Sequence, residues 1–358
     1  MGPVRIATRW IVAVTLALGA GLVATGQTVA QDEPACEARP TLITWDGDAG
    51  TTAWAEPLNW SEDTLPGPGS HACIAVAGTT VSLDSGFVAS IASLQVMPGS
   101  GLAIAGNATL DLAGPDPSSL ASLGVFGGTL TGAGTRIVTG AATLDTGTLT
   151  GTGRTVIGPG ASLVIGSGQG GTLAIGGGHV LVVDAGATAT WGPGPHDITL
   201  EAPSRIEVAG TLDIVNDRTL GGSGTLAVTG TLRKLSHGTT VIGGPLDLDG
   251  SLAVETGLLD AAAGDGGLGT DGSIVVGPGA RLRLSGARTI GPAGSVTGAG
   301  ILEVTTNGTL SAPATATWAV TTTYLTGNGS LTLDGERTLE RLWLFGGSLA
   351  GSGARTVT

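Results

Sequence analysis

The sequence predicts an all-β solenoid, in which short strands wind through successive coils and each coil covers the apolar face of the next. The first observation is compositional. Glycine supplies 65 of 358 residues and aromatics only 3%, whereas 41% of residues are hydrophobic. That is too apolar for a disordered chain and too poor in large side chains for an ordinary globular enzyme. The second is periodicity. From residue 100 onward apolar residues alternate over three to five positions and are closed by Gly, as in Leu102-Ala-Ile104, Leu163-Val-Ile165, Leu173-Ala-Ile175, Leu212-Asp-Ile214, Leu226-Ala-Val228 and Leu302-Glu-Val304. Period-two bursts punctuated by Gly, Pro-Gly or Asn-Gly are short strands between tight turns. Such strands bury too little as isolated hairpins, and stacking supplies the missing burial.

The third observation is internal similarity. Leu123–Thr139 aligns without gaps to Leu342–Thr358, Thr188-Ala-Thr-Trp191 recurs as Thr315-Ala-Thr-Trp318, and Val156–Leu163 recurs as Val275–Leu282. The last pair carries a Gly-Pro-Gly corner, where Pro sets φ near −65° and the flanking Gly can take positive φ. The copies are unevenly spaced, so coil length is expected to vary around roughly 20–25 residues. Residues 78–358 would then form about a dozen coils and a rod of roughly 55–60 Å at the ~4.8 Å strand spacing. The chain stops within the second copy of its Phe-Gly-Gly theme without a capping segment, which points to a longer protein or to further chains covering that end.

Residues 1–30 stand apart. Arg5 and Arg9 precede the apolar run Trp10–Val23, and Thr28-Val29-Ala30 places small residues at a cleavage site. This is the layout of a secretory signal peptide, and the run is too short for a retained span of about 20 apolar residues. No second long apolar segment follows, so the mature chain is expected to span no membrane. Loss of the leader removes two arginines and no acids, taking the net charge from −13 to −15. Lys234 is the only lysine and no basic run occurs, which excludes nucleic acid as a partner.

Cys36 and Cys73 form an even pair behind the leader and read as a disulfide of an oxidising compartment. Residues 31–77 form a separate N-terminal module. Trp45, Trp54 and Trp60 fall close together there, although the chain holds only seven tryptophans. Clustered rings of this kind are suited to plugging the open end of a solenoid. The module reads Trp45-Asp-Gly47, Asn59-Trp-Ser61 and Pro66-Gly-Pro-Gly69. It resembles the opening of large secreted bacterial β-helix proteins of adhesin or autotransporter-passenger type. Ser70-His71 stands where that family carries acidic residues. The repeats Gly128-Thr-Leu-Thr-Gly-Ala-Gly134, Gly279-Ala-Arg-Leu282 and Gly298-Ala-Gly-Ile-Leu302 share the family's cadence. The resemblance implies a right-handed parallel β-helix and a surface or adhesin-like role without enzymatic activity.

Enzymes on parallel β-helices need carboxylates converging from neighbouring coils. Asp145, Asp213, Asp247 and Asp249 are the candidates, but each sits in the polar phase of a strand pattern and reads as solvent-facing. Gly266–Ile274 begins like a calcium-binding nonapeptide, yet occurs once and out of phase. His71, His179, His196 and His237 are widely separated and form no triad or metal pattern. The sequons at Asn59, Asn107, Asn307 and Asn328 carry little weight in a bacterial protein, and Asn307-Gly and Asn328-Gly suit tight turns. The expectation is therefore a non-enzymatic extracellular structural or adhesin-like rod with no cofactor and no metal. Its expected partners are glycans, matrix or cell-surface molecules, or other copies through the solenoid ends; the alternative is a β-helix polysaccharide lyase or glycoside hydrolase.

Overall fold

The computed structural model describes residues 36–84, 86–168, 170–262 and 272–358, all within one compact unit, Pro34–Thr358. The expected leader and most of the calcium-like loop lie outside the described residues. The described residues are 57% strand and include no α-helix, and the parallel strands stack into a β-solenoid of about 13 turns. Among the described residues no helix is long and apolar enough to cross a membrane.

A typical coil carries three short strands, here assigned to faces A, B and C. One coil runs Val180–Val183 (A), Thr188–Trp191 (B) and His196–Leu200 (C). The next runs Arg205–Val208, Thr211–Ile214 and Thr219–Gly221 on the same faces. Pairing is parallel and in register: Leu181 lies on Ile206, Ala189 on Leu212 and Ile198 on Leu220. The alternation does the sorting. In every strand of the type Thr-Leu-Asp-Ile the second and fourth residues point inward and are buried, while the first and third face out. Each fully buried Val, Leu or Ile contributes roughly 1.5–3 kcal/mol, so the core is a column of such pairs running the length of the unit. Coil length ranges from 18 residues, where Ser352 lies on Asp334, to 29, where His71 lies on Leu42. The spread is wider than the repeats suggest because corners absorb the difference.

Corners demand glycine where one coil's backbone presses on the next. Gly298 has φ +117°, and a Cβ there would sit 2.2 Å from the Val276 carbonyl oxygen. Other corners use side chains. Asn307 adopts φ 63°, as its Asn-Gly sequence suggests. Asn307 and Asn328 also stack one coil apart: the Asn307 N–H donates to Asn328 Oδ1 at 2.6 Å and Asn328 Nδ2 donates to Asn307 Oδ1 at 3.0 Å.

At the N-terminal end, Leu42–Trp45 pairs with His71–Ile74 on face A. Trp45, Trp54 and Trp60 are all buried and meet edge to face, with Trp60 5.0 Å from Trp45 and 4.6 Å from Trp54. Trp60 Nε1 donates to the Trp54 carbonyl at 2.8 Å. Asn59, of the Asn-Trp-Ser motif, is fully buried and ties the module together. Its backbone carbonyl accepts from Asp46 and Gly47, its Oδ1 accepts from Ala49, and its Nδ2 donates to Thr51 Oγ1 at 2.8 Å. The Trp-Asp-Gly and Asn-Trp-Ser motifs are thus two halves of one hydrogen-bonded unit. Ser70 does the turn-capping work available to an acid, its Oγ accepting from Gly67 N at 3.2 Å. Cys36 and Cys73 form the disulfide.

A few polar groups lie inside the stack. Lys234 points inward between Ile214 and Val254. Its ammonium reaches a corner, donating to the Ser236 carbonyl at 2.6 Å and to Asp217 at 3.1 Å. His179 is fully buried, with Nε2 3.1 Å from Thr155 Oγ1. Burial first, and then the nearby Arg136 guanidinium, depress its pKa to about 4. Between that value and the ordinary 6.5 the unfolded chain takes up a proton that the folded one refuses. Stability contributed by neutral His179 is therefore present near neutrality and lost as pH falls from 6.5 towards 4, on the order of 3 kcal/mol across the window. Thermal melts at pH 7.5 and 4.5 should show a smaller acid-induced drop in His179→Gln than in the parent chain; equal drops in both would disprove the assignment.

Candidate functional site

The acids nominated by sequence do not converge. Asp213 lies on face B, Asp247 on face A, and Asp145 at the corner following the face-B strand segment 141–144. Asp213 is held by Arg233 from the next coil in a two-point pair of 2.7 and 2.6 Å. Asp145 accepts from Gly168 N at 2.7 Å and lies 3.3 Å from the buried His196. Asp247 has its pKa raised, chiefly by burial and then by its neighbour Asp249. Among the described residues no group of three or more His, Cys, Asp or Glu is placed to hold a metal.

What the coils do bring together are two outward ladders. On face B, the first outward position of eight consecutive coils is Ser162, Thr188, Thr211, Thr231, Ser251, Ser273, Ser295 and Thr317, each directly in register with the next. All eight are exposed or half-exposed. Ser273 Oγ donates to Ser251 Oγ at 3.0 Å. At the ~4.8 Å strand spacing the line extends roughly 34 Å. The local cause is the strand formula itself, a hydroxyl residue followed by an inward Leu, Ile, Val, Ala or, at residue 318, Trp.

On face C the corresponding ladder is charged and then aromatic: Asp260, Arg283, Glu303, Tyr324 and Trp343 lie in register across five coils. Arg283 donates to Glu303 at 2.8 Å and to Asp260 at 3.2 Å, and Arg281 reaches Glu303 at 2.8 Å. Arg281 also sits 5.4 Å from the centre of the Tyr324 ring. Comparison with protein-family models, with curated proteins and with solved structures gives no match. The chain's own geometry is therefore what carries a functional reading.

Sequence reading left the members of both ladders unplaced. The recurring Thr-Leu or Ser-Leu at strand starts was visible, but alignment into one column depends on coil register, which uneven coil lengths conceal. The Asp260–Arg283–Glu303 cluster was missed for the same reason, since its members lie 20 and 23 residues apart.

Proposed function

We propose that this chain is a non-enzymatic extracellular rod of adhesin or structural type, exported by its N-terminal leader and presenting flat outer faces to an extended partner. The observation that carries this reading is the face-B hydroxyl ladder. One hydroxyl contact contributes only about 0.5–1.5 kcal/mol, but eight on a common line can engage a partner whose own hydroxyls repeat along its length. Linked contacts of this kind gain through effective concentration. A linear glycan fits that requirement, and glycans of matrix or cell surfaces are the partner class. The disulfide suits an oxidising compartment, and the resemblance of the Trp-rich module to bacterial surface proteins points the same way.

Thr211→Val with Thr231→Val removes two central hydroxyls while keeping side-chain shape. Binding to a linear polysaccharide that the parent chain retains should weaken about 30-fold, the equivalent of two hydrogen bonds, with an unchanged melting temperature. The same panel is assayed for cleavage products. Turnover of any polysaccharide would overturn the non-enzymatic reading in favour of a lyase or hydrolase, and unchanged binding would remove the ladder from it.

A further inference from the structure

We infer that the aromatic end of the face-C ladder is a binding site for a carboxylate-bearing sugar, a pyranose of the uronic acid class. The inference takes from the reading above only the idea of a glycan partner, and it places the contact on a different face.

Trp343 and Phe345 are 50% and 64% exposed, and they project from the outer side of the sheet, the side that coil stacking leaves open. Their ring planes are parallel within 4°, with centres 6.0 Å apart. Tyr324, from the preceding coil, stands edge-on to both at 6.4 and 5.9 Å. Every other tryptophan among the described residues is buried. An exposed pair of parallel rings beside a third offers flat apolar area of the sort that packs against the C–H face of a pyranose.

The surroundings select a charge. A cleft of about 390 Å³ adjoins the rings and is lined by Thr321, Thr322, Tyr324, Arg341 and Trp343. Three guanidiniums gather on this part of face C in a chain of net charge −13. Arg281 and Arg283 are committed to Glu303 and Asp260. Arg341, in the cleft itself, has no carboxylate partner among the described residues, and its neighbour Glu340 makes no ion pair with it. A planar guanidinium presents two donors to a carboxylate in parallel. Threonine hydroxyls in the cleft wall can meet ring hydroxyls. Arg341 also disfavours a quaternary ammonium, the other class of ligand that aromatic clusters hold.

The test uses the full chain and two tetrasaccharides of identical linkage, β-1,4-linked glucuronic acid and β-1,4-linked glucose, which differ only in carboxylate against hydroxymethyl. Calorimetry should give tighter binding of the uronate by at least tenfold, and ligand should perturb the emission of Trp343. Trp343→Ala should lose binding of both sugars, and because the ring is exposed its melting temperature should not move. Arg341→Gln should retain the neutral sugar and lose the preference for the acid. Equal affinity for the two sugars in the parent chain, or an unaltered preference in Arg341→Gln, would overturn the inference, as would binding of neither sugar. The Thr211→Val and Thr231→Val chain should bind the uronate normally, so failure on face B leaves this site standing and failure here leaves the ladder standing.

Discussion

Trp60→Ala is expected to cost the N-terminal coils about 3–5 kcal/mol, the range for truncating a buried large aromatic. Trp60 is fully buried and is the centre of the three-ring cluster, meeting Trp45 on one side and Trp54 on the other. Edge-to-face pairs contribute beyond the area they bury, so removing the middle ring loses two at once. It also strips the Trp54 carbonyl of its donor. The loss should be local. In a solenoid each coil contacts only its neighbours, so stability is approximately a sum of coil and interface terms. Hydrogen exchange should therefore show lost protection over residues 42–112, with residues 205–261 unaffected. Uniform loss along the chain would show that the cluster supports the whole unit instead. Trp343→Ala is the control, since an exposed aromatic should change stability by no more than about 0.5 kcal/mol.

The fold was legible because a solenoid writes its rule locally. Leu212-Asp-Ile214 and its many counterparts need only alternate correctly and end in a turn to find an inward face, whichever coil they enter. The internal copies show how local that rule is. Leu123–Thr139 supplies strand segments to faces B, C and A in that order, whereas its copy Leu342–Thr358 supplies faces C, A and B. The Gly-Pro-Gly corner joins A to B at Pro159 but B to C at Pro278. The repeating unit in sequence is one strand with its corner rather than one coil, because all three faces impose the same demand of two inward apolar residues.

That equivalence also explains what stayed hidden. Nothing in the string around Thr188, Thr211 or Thr231 says that these residues share a column, since a face change of one strand would scatter them. Asp260 and Glu303 meet at Arg283 only because two successive coils happen to be 23 and 20 residues long. The Cys36–Cys73 pairing was readable, having no competitor, and Asn59 could have been recognised from its place inside the Asn-Trp-Ser motif. Its role as hub required the loop between Asp46 and Ala53 to close around it. Chemistry built from neighbouring coils is the part of a solenoid least visible in one dimension.

Breaking the disulfide is expected to have an effect comparable with Trp60→Ala, by a different route. The bridge closes a separation of 37 residues, for which the loss of unfolded-chain entropy corresponds to about 4 kcal/mol. It also anchors a strap. Beyond Cys36, the Glu37 N–H donates to Gln95 Oε1 at 2.9 Å and Arg39 pairs with Asp116 at 3.1 Å. Cys73 and Gln95 lie on adjacent coils in register, so the N-terminal segment runs across successive turns of face A. In Cys36→Ser with Cys73→Ser, protection over residues 36–112 should fall, and reductant should reproduce the effect in the parent chain but add nothing to the variant. Unchanged protection on reduction would show that the strap holds without its bridge. The two N-terminal effects act on opposite sides of the equilibrium: the tryptophan cluster stabilises the folded module, whereas the bridge restricts the unfolded one. Within a single cooperative unit they should therefore add, to about 7–9 kcal/mol. That approaches the whole stability of a typical domain, so the combined variant should leave the module unfolded while the coils beyond it persist, with the face-B strand Thr80–Leu83 deprived of its bridge to Ala53.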